Sequence, residues 1–233
     1  MNPGSARALY DGAFASSLSS CAMPILRSCA AAVLFCASFL AQAAEPAALQ
    51  AYFPHGKIVK SLTYAAQDGT PRTVVLGGNY GPPALDGVGM NRLQLYGLAQ
   101  TGGQWQTRWE ASQDSGDACV IEPLARHMAV QDPLKQNDPV VLVPYWMGCD
   151  SADPSSLELL IYYQDRRYDI HGKLPDEDGS PATHTVSDNF AGLPAALQSH
   201  IRTYWNTVEK EAEAADVDAS VDTASGAAPS DKP

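Results

Sequence analysis

Asp169 and His171 stand two residues apart in the run Arg167 to Lys173, whose hairpin context predicts a strand. Strand side chains alternate, so both groups share a face and could work as an acid–base or metal pair. The same spacing also suits two ordinary solvent-facing polar residues. The remaining histidines, His55, His127, His184 and His200, form no pair with the spacing of a zinc motif, so no metal and no cofactor is expected. His127 with Cys119 is a weaker pairing of the same kind. The acids Asp176-Glu177-Asp178 are adjacent in sequence, but glycosidase carboxylates must flank a cleft, and such a run reads as a solvated loop.

Aromatic side chains offer a different chemistry, because their faces stack on sugar rings. Tyr80, Trp105, Trp109 and Tyr145 are the candidate contact surface. Trp105 and Trp109 are four residues apart in one predicted strand, and strict period two puts them on one face. Such a pair equally covers one side of a core. Gly77-Gly78-Asn79-Tyr80-Gly81 has the glycines of a phosphate cradle but lacks a following Lys-Ser/Thr and a helix, so Gly77 to Gly89 reads as a loop.

The elements that must position these groups are mostly short strands. Ile58 to Ala65 and Arg72 to Leu76 flank Gln67-Asp68-Gly69-Thr70, and Asp-Gly between two such runs signals a hairpin. Arg92 to Ala99 and Gln104 to Ala111 repeat the pattern around Thr101-Gly102-Gly103. Cys119 to Ile121, Leu124 to Gln131, Val140 to Met147, Leu157 to Tyr163 and Arg167 to Lys173 continue it. Leu174 to Ser187 is acidic and loop-like. Leu193, Leu197, Ile201, Trp205 and Val208 then recur at helical spacing. The expected fold is mainly β (α+β): an antiparallel meander of hairpins, as an open curved sheet or partial propeller, with one amphipathic C-terminal helix packed on it.

The ends read differently from the middle. Arg27 precedes an uncharged apolar run of twelve residues, Cys29 to Leu40, and Ala41-Gln42-Ala43 supplies small residues for cleavage. Residues 1–43 therefore read as a signal-peptide region with translation starting at Met23, and residues 44–208 as a single β-rich domain. The apolar run is too short for a comfortable membrane span. Phe35 before Cys36 argues against lipidation. Export implies a periplasmic or secreted protein, in which Cys119 and Cys149 remain of the five cysteines and are expected to form a disulfide. From Glu209 to Pro233 seven acids stand against two lysines, and residues 209–233 read as an acidic disordered tail. A net charge of −11 excludes a nucleic-acid partner, since phosphate binding needs clustered Lys and Arg.

One resemblance covers Gly116 to Lys210. Asp117-Ala118-Cys119, Cys149, Asp153-Pro154-Ser155-Ser156-Leu157-Glu158-Leu159, the run Ile161 to Gly172 and a terminal helix ending near Tyr204-Trp205 occur in a shared order. That order resembles a family of small exported bacterial proteins labelled surface polysaccharide biosynthesis proteins, themselves distantly like FG-GAP/VCBS repeats. Those repeats carry Asp-x-Asp-x-Asp-Gly calcium loops. Here Asp132 keeps the first position, but Leu134 and Gln136 replace the next acids and Asn137 replaces the glycine, so the turn is expected without calcium. The resemblance implies a link to cell-envelope polysaccharide but names no reaction and no catalytic residues; the function expected is a non-catalytic envelope accessory or binding protein whose partner is an envelope glycan or another envelope protein. Two other classes stay open: a hydrolase or transferase using carboxylates and His171, and a protein-binding inhibitor or chaperone-like module engaging through the Gly77 to Gly89 loop.

Overall fold

The computed structural model describes residues 46–80, 89–116, 119–149, 155–175 and 180–225, all within a compact unit spanning Ala41–Pro233. The expected signal region and the Asp176-Glu177-Asp178 run lie outside the described residues.

Hairpin chemistry builds the first half. β1 (Lys57–Ala65) and β2 (Pro71–Tyr80) pair antiparallel, and the Asp68 carboxylate accepts the Thr70 N–H at 2.8 Å to close the turn between them. β3 (Met90–Thr101) and β4 (Gln104–Asp114) pair over Gly102 and Gly103, which both take the left-handed conformation that glycine adopts without a steric penalty. β5 (Cys119–Pro123), β6 (Ala129–Gln131), β7 (Val140–Cys149), β8 (Ser156–Tyr163), β9 (Arg166–Lys173) and β10 (Thr183–Val186) follow. They form one ten-stranded sheet in the order β1-β2-β3-β5-β7-β8-β9-β10, with β4 added on β3 and β6 on β7. The architecture is thus the open curved sheet rather than propeller blades. It curls until β1 meets the β5–β6 connection, where the Lys60 ammonium donates to the carbonyls of Ala125 at 2.7 Å and Met128 at 3.1 Å.

Curling leaves an inner and an outer face. Val74, Leu76, Leu93 and Leu95 from β2 and β3 join Val141, Val143, Leu160 and Tyr162 from β7 and β8 in the inner cluster. Outside, Leu157, Leu159, Ile161 and Ile170 pack against Leu193, Leu197, Ile201, Trp205 and Val208, all five of which are buried as their spacing predicts. A smaller outer cluster seats Leu49 and Phe53, around α1 (Pro46–Gln50), on Val75 and Leu98. Cys119 and Cys149 face each other across β5 and β7 and are bonded. Closing that loop stabilises the fold by roughly 3 to 4 kcal/mol in the chain-entropy account.

Several elements differ from expectation. Leu124 to His127 forms a turn, with the His127 N–H on the Leu124 carbonyl, so only Ala129–Gln131 of the expected strand pairs. Within the expected loop Leu174 to Ser187 lies β10, an exposed edge strand without the alternation that would reveal it. Gly77 to Tyr80 belong to β2, where close contacts replace loop freedom: a Cβ on Gly77 would come within 2.6 Å of the Phe53 ring. Residues 81–88 of that expected loop lie outside the described residues. Helix α2 (Ala195–Ser225) runs past the expected start of the acidic tail. Ala, Glu and Lys, which recur after Glu209, are strong helix formers, and Glu211 reaches Arg126 at 3.3 Å and His127 at 3.1 Å.

Candidate functional site

Alternation along β8 sends Leu157, Leu159, Ile161 and Tyr163 to the helix and Ser156, Glu158, Leu160 and Tyr162 inward. Register then sets each inward residue in a row across neighbouring strands. Tyr145, Glu158 and His171 form one row, Val143, Leu160 and Asp169 the next, and Val141, Tyr162 and Arg167 the third. Asp169 and His171 do share a face, as predicted, but they are not each other's partner. The Glu158 carboxylate bonds His171 Nδ1, while the Arg167 Nε donates to Asp169 at 2.8 Å.

Glu158 is the residue that sequence reasoning missed. Its signal was a single acid inside the apolar run Leu157 to Tyr163, where burial of a charge demands a partner. Burial pushes its carboxyl above the ordinary range, against the opposing pull of His171. Burial first and the Glu158 charge second raise the Tyr145 phenol as well. A carboxylate that holds an imidazole of which half is exposed can accept and return a proton.

Further along the same face, at the β8–β9 turn, lies a cleft of about 300 Å³. Tyr64 of β1, Arg72 of β2, Trp109 of β4, Asp138 before β7, and Tyr162 and Asp165 line it. Asp165 is held between two guanidinium groups, from Arg72 at 2.6 Å and Arg108 at 3.0 Å. It and Gln164 both take positive φ, 59° and 52°, which costs each side chain on the order of 1 kcal/mol. The charge-assisted bonds to both arginines offset that strain. Trp109 stacks on Tyr162 with ring centroids 3.6 Å apart and planes at 9°. Two polar atoms of the lining, Arg72 Nε and the Tyr162 hydroxyl, are buried without a hydrogen-bond partner. Burial pushes the Tyr162 phenol up to about 12.

The four aromatic residues proposed from sequence do not converge. Tyr145 is 3% exposed and belongs to the inner core, so it offers no stacking face. Tyr80 is exposed at the end of β2. Trp105 and Trp109 lie on opposite faces of the sheet, contrary to the period-two expectation. Trp109 pairs with Gly97 and Thr107 with Leu98, so a bulge at Arg108 shifts the alternation by one. Trp109 thus turns to the inner cluster and Trp105 to the outer one near α1. Trp105 and Tyr52 line a separate hollow of about 400 Å³.

No protein-family model, curated protein or solved structure matches the chain. The site therefore rests on its own geometry. Among the described residues, no three His, Cys, Asp or Glu side chains come together as a metal site. In the loop compared with calcium repeats, the Asp132 carboxylate accepts the N–H groups of Gln136 at 3.2 Å and Asn137 at 2.8 Å, and Asn137 takes φ 56°. No helix among the described residues is long and apolar enough to cross a membrane.

Proposed function

We propose that the chain is a non-catalytic accessory protein of the cell envelope that binds envelope glycan in the cleft between Arg72, Tyr162 and Asp165. The observation that carries this reading is the cleft of about 300 Å³ itself, lined by Tyr64, Arg72, Trp109, Tyr162 and Asp165 from four strands and the β8–β9 turn. Two of the lining residues also hold buried polar atoms without a partner, Arg72 Nε and the Tyr162 hydroxyl, each at a cost of about 1 to 3 kcal/mol. Positive φ at Gln164 and Asp165 is what the two-residue loop between the paired Tyr163 and Arg166 requires, and that tight turn sets Asp165 at the cleft. The export signal read in residues 1–43, the disulfide and the resemblance to surface polysaccharide proteins support the envelope as compartment and glycan as ligand class. A glycan array probed with the full chain tests it. Binding that Arg72→Gln abolishes in a folded protein supports the proposal, and a blank array removes it.

A second reading has an observation of its own. The Glu158–His171 pair, with Glu158 raised by burial, supplies the acid–base chemistry of a hydrolase or transferase acting on envelope glycans. In that reading Glu158, rather than Asp169, orients His171. Turnover of cell-wall or capsule fragments that His171→Gln abolishes would establish it, and fragments left intact by the wild-type chain would remove it.

A further inference from the structure

We infer that His127 is a proton-operated clasp on the C-terminal helix: its Nε2 bonds Arg126 when the ring is neutral and Glu211 of α2 when it is protonated, so acid tightens the helix onto the sheet. The clasp stands apart from the glycan reading above. Nε2 lies 2.7 Å from the Arg126 Nε, which donates to it, and 3.1 Å from a Glu211 carboxylate oxygen. One ring nitrogen cannot serve both. As a lone pair it accepts the guanidinium N–H and has nothing to give the carboxylate; as an N–H it donates to the carboxylate and faces another donor. Arginine keeps its proton throughout, so the charge on the imidazole decides between them.

In the neutral form Arg126 serves both neighbours, with Nε–H on His127 and a terminal nitrogen on Glu211 at 3.3 Å. The carboxylate is then compensated without a bond from histidine. Proton uptake turns Nε2 into a donor toward Glu211 and sets two cations side by side. Arg126, 69% exposed, can withdraw into water, whereas the His127 side chain is 15% exposed and its backbone is held. The Tyr204 hydroxyl of α2 donates to the His127 carbonyl, and the Lys60 ammonium of β1 takes the carbonyls of Ala125 and Met128 on either side. His200 of α2 is engaged by the Gln131 side chain of β6. Among the described residues, the charged and titratable groups that meet this connection are thus Arg126 of its own, Lys60 from β1, and His200, Tyr204 and Glu211 from α2. Of these, Arg126 and Glu211 reach the His127 ring.

Position gives the exchange its consequence. The buried apolar stripe of α2 ends at Val208, and only Ala212 adds partial packing beyond it. Past Val208, the ion pairs that tie α2 to the sheet among the described residues are those of Glu211. Attachment there is electrostatic and follows one imidazole. Because the docked helix gives protonated His127 a partner, docking gains as pH falls through the range in which histidine titrates. It is lost again as pH rises through that range.

Imidazole ¹⁵N shifts of the full chain and urea unfolding, each at pH 8 and pH 5, test the clasp. At pH 8 the neutral His127 ring is expected to carry its proton on Nδ1, and Arg126→Ala should move that proton to Nε2. Glu211→Gln should lower the folding equilibrium constant by a factor about two- to fivefold larger at pH 5 than at pH 8. In a His127→Gln background that excess should vanish. Arg126 and Glu211 are both exposed, so their variants should keep the fold, and the wild-type ring shifts decide the matter if His127→Gln does not fold. A proton on Nε2 in the wild type at pH 8 overturns the proposal. So does a ring unchanged by Arg126→Ala, or a Glu211→Gln penalty equal at both pH values.

Discussion

The two faces of β8 make opposite use of one strand. Outward, Leu157, Leu159 and Ile161 meet Leu197, Ile201 and Trp205 in an apolar seam, and Trp205 fits over Gly172, where a Cβ would come within 2.5 Å of the indole. Inward, Glu158 and Tyr162 bring a carboxyl and a phenol into a core that also holds Leu160 and Val143. The outer face is satisfied within itself. The inner face keeps polar groups that burial penalises, and that difference is why the proposed function is assigned to the inner side.

The largest effect should come from the outer face. Trp205→Ala is expected to cost about 3 to 5 kcal/mol in urea unfolding, because it empties the centre of the helix–sheet seam. A much smaller loss would break the contrast between the faces. Removing the disulfide, as Cys119→Ser with Cys149→Ser, should cost roughly 3 to 4 kcal/mol measured the same way.

A pair of phenols sharpens the comparison. The Tyr204 hydroxyl on α2 donates to the His127 carbonyl, so Tyr204→Phe should cost about 0.5 to 1.5 kcal/mol. The Tyr162 hydroxyl has no partner, so Tyr162→Phe should be neutral or stabilise by up to about 1 kcal/mol. Equal losses in both would show that the inner hydroxyl is already satisfied.

Acidity separates the faces more finely. Glu158 has a folded-state pKa raised above its unfolded value near 4.5, so the folded form holds this proton more tightly. Its contribution is fully present below that unfolded value and is lost as pH rises through the folded one. Compared with Glu158→Gln, the wild type should therefore gain stability on acidification from neutral pH toward about 4.5. A constant difference across that range would contradict the burial of the carboxyl.

Much of the outer face was legible in the sequence, since a helix declares its buried side by spacing alone. Leu193 to Val208 needed no knowledge of the partner strand. Hairpins were equally plain where Asp68-Gly69 or Gly102-Gly103 marked the turn, and Cys119 and Cys149 pointed to one another once export was inferred. The inner face was not legible, because its meaning lies in cross-strand register. Nothing local brings Glu158 beside His171, or Arg72 and Arg108 onto Asp165, across 93 and 57 residues of chain in the latter cases. The bulge at Arg108 shows the limit most directly, since one extra residue put Trp105 and Trp109 on opposite sides.

The central claim is that ligand enters at the Arg72–Asp165 seam. Shift mapping of the ¹⁵N-labelled full chain with N-acetylglucosamine tests it. The account predicts changes gathered at Tyr64, Arg72, Gln164, Asp165 and the Trp109 indole. Unchanged signals there at saturating sugar, or changes gathered instead at Tyr52 and Trp105 or at Glu158 and His171, would contradict it.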